Sequence, residues 1–143
     1  MRIRDIISKQ QGIHGLETVT ILAHALAMNK EQLFINLDRQ IDETSNMRIH
    51  QFISERQQGK PLAYITGTKE FFSEEFCVDE RVLIPRPETE LLVEEAIKVL
   101  AKIPKADSII DMGTGSGAVG LTVARITKKR VLCVDESTGA LAV

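Results

Sequence analysis

The residues with the clearest chemical purpose lie in the run Asp111-Met-Gly-Thr-Gly-Ser-Gly117, with Asp135 following at the end of a short apolar stretch. Glycines at alternate positions let the backbone turn sharply off a strand and approach a ligand with no Cβ in the way. The unpaired amides that open the next helix then point at whatever binds. An acid about twenty residues further on, beyond a second strand, is placed to accept hydrogen bonds from ribose hydroxyls. The chemistry these residues point to is recognition of a nucleoside-bearing ligand.

Two such ligands compete. Gly113 to Ala118 fits Gly-x-Gly-x-x-Gly/Ala and Gly115 to Gly120 fits Gly-x-Gly-x-x-Gly, so the dinucleotide pattern is met twice. Asp111 tips the reading: a carboxylate ahead of the glycines disfavours a pyrophosphate but suits the cationic methionine end of S-adenosylmethionine. A dinucleotide and a ligand-free glycine turn stay open as alternatives.

Other polar residues read more plainly. His14, His24 and His50 are expected to be solvated or packed histidines, and Glu88 and Glu90 to stabilise the first turn of a helix. Arg86 either orients a carboxylate or pairs with Glu88. Lys128-Lys129-Arg130 is expected to be a solvated turn, and Phe71, Phe72 and Phe76 to be core. Cys77 and Cys133 have no metal-ligand spacing, and Cys133, inside Val131-Leu-Cys-Val134, is expected to be a buried thiol. No catalytic residue and no metal site is assigned.

These residues need a scaffold. Ile3, Ile6 and Ile7 share a helical face, as do Val19, Leu22, Ala23 and Leu26. Asn29 with Gln32 forms a capping-box pattern, and Asp42 or Thr44 opens a helix that buries Ile49, Phe52 and Ile53 and stops near Gly59. Four short helices are expected. From Leu62 the texture turns β-like: Tyr64-Ile-Thr, Glu70-Phe-Phe, Phe76-Cys-Val and Arg81-Val-Leu-Ile84 predict a hairpin connector over 69–84 with turns at 73–75 and 79–80. Pro87 suits a helix start, and Leu91, Leu92, Ala96, Ile97 and Leu100 are read as that helix's apolar face. Strand 108–111, helix 118–126, strand 130–135 and a helix begun at 140–143 complete a βαβ unit.

The 143 residues carry a net charge of −2, which gives no electrostatic case for direct nucleic-acid binding. No apolar run approaches the roughly 18 to 20 residues that span a bilayer, and the N-terminus has no signal-peptide core. A cytoplasmic monomer is the default expectation.

Gly59-Lys-Pro-Leu-Ala-Tyr-Ile-Thr-Gly67, Glu70-Phe-Phe, Leu83-Ile-Pro-Arg-Pro-Glu-Thr-Glu90 and Asp111-Met-Gly-Thr-Gly-Ser-Gly-Ala118, in this order, resemble the release-factor glutamine methyltransferase family, also called HemK or PrmC. The resemblance implies a small all-α N-terminal bundle at 1–67 that helps grip the release factor and a β-hairpin linker at 68–84. It implies, at 85–143, the first βαβ unit of a class I, Rossmann-like α/β methyltransferase domain, truncated. It implies that Asp111, Gly113, Thr114, Gly115, Ser116 and Gly117 line S-adenosylmethionine, that Asp135 holds its ribose, and that Pro85, Arg86 and Thr89 lie against the same pocket. The implied partners are bacterial class I release factors, methylated on the glutamine amide of Gly-Gly-Gln.

One expected part is missing from these residues. The family's Asn-Pro-Pro-Tyr motif holds and aims the substrate amide, whose delocalised lone pair makes it a poor nucleophile. Without it the 143 residues are expected to be inactive alone. Rival readings are a related methyltransferase acting on another protein or a nucleic-acid base, a NAD-dependent oxidoreductase, and a non-catalytic module that docks a partner through its helices.

Overall fold

The computed structural model describes residues 1–9 and 12–143, which form two compact units, Met1–Thr66 and Gly67–Val143.

The first unit is helical: α1 (Ile3–Lys9), α2 (Gly15–Ala25), α3 (Lys30–Ile35), α4 (Glu43–Gln57) and α5 (Leu62–Thr66). Side chains start three of these helices by satisfying amides that no earlier turn can reach. His14 Nδ1 accepts the Leu16 amide at 3.3 Å, so this histidine is a helix cap. Asn29 and Gln32 form the expected reciprocal box, at 2.7 and 3.0 Å. Of the two candidates for the start of α4, Asp42 takes the position, accepting the Ser45 amide at 2.8 Å. Ile3, Ile6, Val19, Ile21, Leu22, Leu33, Ile49 and Ile53 are buried in one core. A half-buried ion pair, Arg56 to Glu17 at 2.9 Å, ties α4 to α2.

The second unit opens with a hairpin, β1 (Thr68–Phe71) against β2 (Glu74–Cys77), antiparallel with Phe71 opposite Glu74. Its two-residue turn puts Phe72 and Ser73 at φ +51 and +61, the left-handed pair that tight hairpins require. A bulky residue there is strained. The 3₁₀ turn Pro87–Thr89 then leads into α6 (Glu90–Lys102), β3 (Ser108–Met112), α7 (Ala118–Thr127) and β4 (Arg130–Val134), followed by a 3₁₀ turn at Ala140–Ala142. β3 and β4 pair in parallel, Asp111 opposite Cys133, with α7 as the crossover. Phe71, Val93, Ala118 and Val123 are the buried centre, with Phe72, Phe76, Ala96, Ile97, Leu100 and Ile109 packed around them.

Several expectations need correction. Among the described residues the first unit has five helices rather than four, because Tyr64-Ile-Thr belongs to α5 and is not β structure. Pro61 begins that helix: its carbonyl accepts the Tyr64 and Ile65 amides at 3.0 and 3.3 Å. Arg81-Val-Leu-Ile84 is not a strand; the Asp79 carboxylate accepts the Arg81 amide at 2.9 Å and folds the segment into a turn. Leu91 and Leu92 are exposed, 64% and 56%, and Val93 lies at the centre of the buried face instead. Cys133 is partly rather than fully buried, and Cys77 is exposed.

Candidate functional site

The glycine loop follows from what surrounds it. β3 runs to Met112, one residue past Asp111, and the chain leaves it through Gly113, Gly115 and Gly117 at φ +75, +55 and +79. Residues with a Cβ avoid these angles, so the turn belongs to glycine. A Cβ on Gly113 or Gly115 would meet nothing within 4 Å. That face of the loop is open space, not filled by packing.

The first half of the loop is pinned to the end of β4 and to Asp135. The Val134 carbonyl, at the end of β4, accepts both the Gly113 amide at 2.7 Å and the Thr114 amide at 3.0 Å. Asp135 adds a third tie, its Oδ2 accepting the Gly115 amide at 2.9 Å, while Oδ1 accepts the Ser137 amide at 3.0 Å. The amides of Ser137 and then Gly115 stabilise the charged form and hold this carboxyl below its ordinary value. Each carboxylate oxygen keeps a lone-pair direction for a further donor. An ionised acid thus stands at the mouth of the open loop, oriented by two backbone amides before any ligand arrives.

Asp111 turns inward. Its Oδ2 accepts the Thr114 hydroxyl at 2.7 Å and the Gly120 amide at 2.9 Å. Gly120 matters for a second reason: a Cβ there would lie 2.7 Å from Asp111 Oδ2 and 3.0 Å from Val131 Cγ2. Ser116 is partly buried in the loop, and Gly117 is the left-handed residue that starts α7.

The structure therefore draws Asp111, Thr114, Gly115 and Asp135 into one hydrogen-bonded assembly. Pro85, Arg86 and Thr89 take no part in the hydrogen bonds of that assembly. Among the described residues no hydrogen bond links them to the loop; Arg86 is exposed, and its carbonyl accepts the Thr89 amide at 3.0 Å. Glu90 stands in the first turn of α6, as read from sequence, and its side chain also accepts the amide of strained Phe72 at 2.9 Å, anchoring the hairpin tip. Three contributors escaped the sequence reading: Gly120 beyond its place in a glycine pattern, the Ser137 amide, and the Val134 carbonyl. Only Gly120 left a signal, a glycine inside a helix, where its backbone freedom destabilises.

Among the described residues no group of three or more His, Cys, Asp or Glu comes together to hold a metal ion, and no helix is long and apolar enough to cross a membrane.

Comparisons with known proteins add a family. Residues 7–67 match the family model described as PrmC N-terminal domain. The chain is 40% identical over 129 residues to a release factor glutamine methyltransferase from Buchnera aphidicola subsp. Schizaphis graminum, covering 89% of this chain and 46% of that protein. It is 41% identical to the one from Chlorobaculum tepidum, covering 90% and 45%, and 39% identical to the one from Burkholderia pseudomallei, covering 92% and 46%. The chain spans a little under half the length of these curated relatives.

Proposed function

From the premise that this chain carries the PrmC N-terminal domain and belongs with the N-terminal part of the HemK/PrmC family, we propose that its glycine loop binds S-adenosylmethionine. We further propose that the protein carrying it methylates the glutamine side-chain amide of peptide-chain release factors. The observation that carries the cofactor reading is the ionised Asp135 carboxylate, fixed by the Gly115 and Ser137 amides at the mouth of an open glycine loop. This suits a ribose with two adjacent hydroxyls: both donate, and the acid accepts. The release-factor substrate rests on the names of the relatives.

The residues fit the cofactor on their own chemistry. Gly113 and Gly115 leave room for it, Asp135 takes the ribose hydroxyls, and Thr114, Ser116 and Gly117 complete the wall. When bound, S-adenosylmethionine supplies a methyl group on a cationic sulfonium, an electrophile with a neutral thioether as leaving group. The chain's part is positioning: a loop held rigid by its own hydrogen bonds keeps that methyl in one place, so that an incoming nitrogen meets it in line. Pro85, Arg86 and Thr89 belong to this proposal as a wall of the pocket. So does the arrangement of a helical release-factor-binding domain at 1–67, a hairpin linker at 68–84 and a Rossmann-like methyltransferase domain from 85 onward.

The test is methyl transfer by the protein that carries this chain, with labelled S-adenosylmethionine offered release factor, ribosomal protein and DNA in parallel. Label on the release-factor glutamine alone is expected, and label on DNA or ribosomal protein instead would contradict the substrate reading.

A further inference from the structure

A helix needs acceptors for its first amides, and α7 begins at Gly117, which has no side chain to offer. The acceptor comes from elsewhere. Asp111 reaches from β3 across the loop to the Gly120 amide, the third helical residue, where a capping side chain normally bonds. The same oxygen holds the Thr114 hydroxyl at the loop's bend. One carboxylate oxygen thus joins the strand end, the loop and the helix start.

Gly120 is cut to fit it. Any Cβ at this position would lie 2.7 Å from Asp111 Oδ2, 2.8 Å from Asp111 Cβ and 3.0 Å from Val131 Cγ2. The close approach of α7 to β3 and the inward turn of Asp111 therefore require each other. The carboxylate thus stands at the amino-terminal end of α7, where the helix's first amides gather.

We infer that Asp111 is a positioning residue, matched to Gly120, that sets the shape of the glycine loop and acts on cofactor affinity through the loop's backbone rather than by meeting the ligand's ammonium group. The part concerning affinity rests on the proposed S-adenosylmethionine site; the bracing itself does not. Asparagine separates the two roles, since it keeps an acceptor oxygen at the same place and loses the charge.

The experiment measures amide hydrogen exchange at Gly120 and S-adenosylmethionine affinity in the chain and its variants, with amides of α2 as internal reference for folding. Asp111→Asn is expected to keep both within about threefold, whereas Asp111→Ala loses about tenfold or more in each, the scale of a lost charge-assisted hydrogen bond. Thr114→Val, which removes one of the two donors and keeps the side-chain shape, is expected to fall between them. Loss of affinity in Asp111→Asn as complete as in Asp111→Ala, with Gly120 protection intact, would overturn the inference and assign the carboxylate to the ligand. Should the chain bind no S-adenosylmethionine at all, the cofactor reading fails by itself, and Gly120 protection decides: lost in Ala and kept in Asn supports the brace, unchanged in Ala refutes it.

Discussion

The two units solve different problems with similar materials. The helical unit is built on a dry core: Ile3, Ile21, Leu22, Leu33 and Ile49 are wholly shielded from solvent, and three of its helices are capped by side chains. The second unit buries a smaller centre around Phe71, Val93, Ala118 and Val123. One face of its two-stranded sheet stays open, with Ile110 63%, Met112 80% and Leu132 60% exposed. Parallel strands are ordinarily covered on both faces. Here local order is concentrated at one end of the sheet, where Val134, Asp135, Asp111 and Thr114 tie down a loop made mostly of glycine. The first unit spends its sequence on a core, and the second spends it on holding a glycine loop in place.

That contrast can be broken by mutation. Leu22→Ala in the helical core is expected to cost about 2–5 kcal/mol, whereas Ile110→Ser on the open sheet face should change stability by no more than about 0.5 kcal/mol. Denaturant unfolding of each variant checks this, and comparable losses at both sites would end the distinction. Gly120→Ala should cost about 1–3 kcal/mol, as overpacking does, because the new methyl meets Asp111 and the Val131 side chain. The same variant is expected to lose ligand affinity while the α2 amides keep their exchange protection.

Smaller effects sharpen the picture. Asn29→Ala removes one half of the capping box and should cost about 1 kcal/mol, seen as a lower unfolding midpoint with the glycine loop unaffected. Acid should then separate the units. Burial, and after it Arg48, holds the His24 imidazole below its ordinary 6.5. The unfolded chain therefore takes up the proton first: the contribution of His24 to stability is complete above 6.5 and is lost as pH falls through the lowered value. Asp135 follows the same sign at lower pH, its contribution complete above 3.8 and lost below as the amides of Ser137 and Gly115 lose their charged acceptor. A pH series of hydrogen exchange should show the helical unit loosening first, and His24→Leu should flatten that first step.

Much of this was legible in the residues, for local reasons. Asn29 with Gln32 encodes a cap within three positions, and the glycines of the loop encode φ values that other residues avoid. The errors came where neighbours decide. Tyr64-Ile-Thr has β-branched character, but Pro61 starts a helical turn there, and propensity yields to context. On α6, Ala96, Ile97 and Leu100 pack on the core as expected, but Val93, at the same helical spacing, completes that face in place of the exposed Leu91 and Leu92. The distant partners of Asp111 and Glu90 could not be read. Each bonds a backbone amide nine or eighteen residues away, Gly120 and Phe72 respectively, and no local pattern records such a partner.

The central claim is that the loop from Asp111 to Gly117, with Asp135 at its mouth, is an S-adenosylmethionine site. Titration calorimetry of the protein with S-adenosylmethionine and with NAD, repeated for Asp135→Ala, tests it most directly. The account predicts heat with S-adenosylmethionine alone, weakened by at least about tenfold in the variant, the scale of lost hydrogen bonds to a charged acceptor. Binding of NAD in preference, or binding of S-adenosylmethionine that Asp135→Ala leaves unchanged, would contradict it.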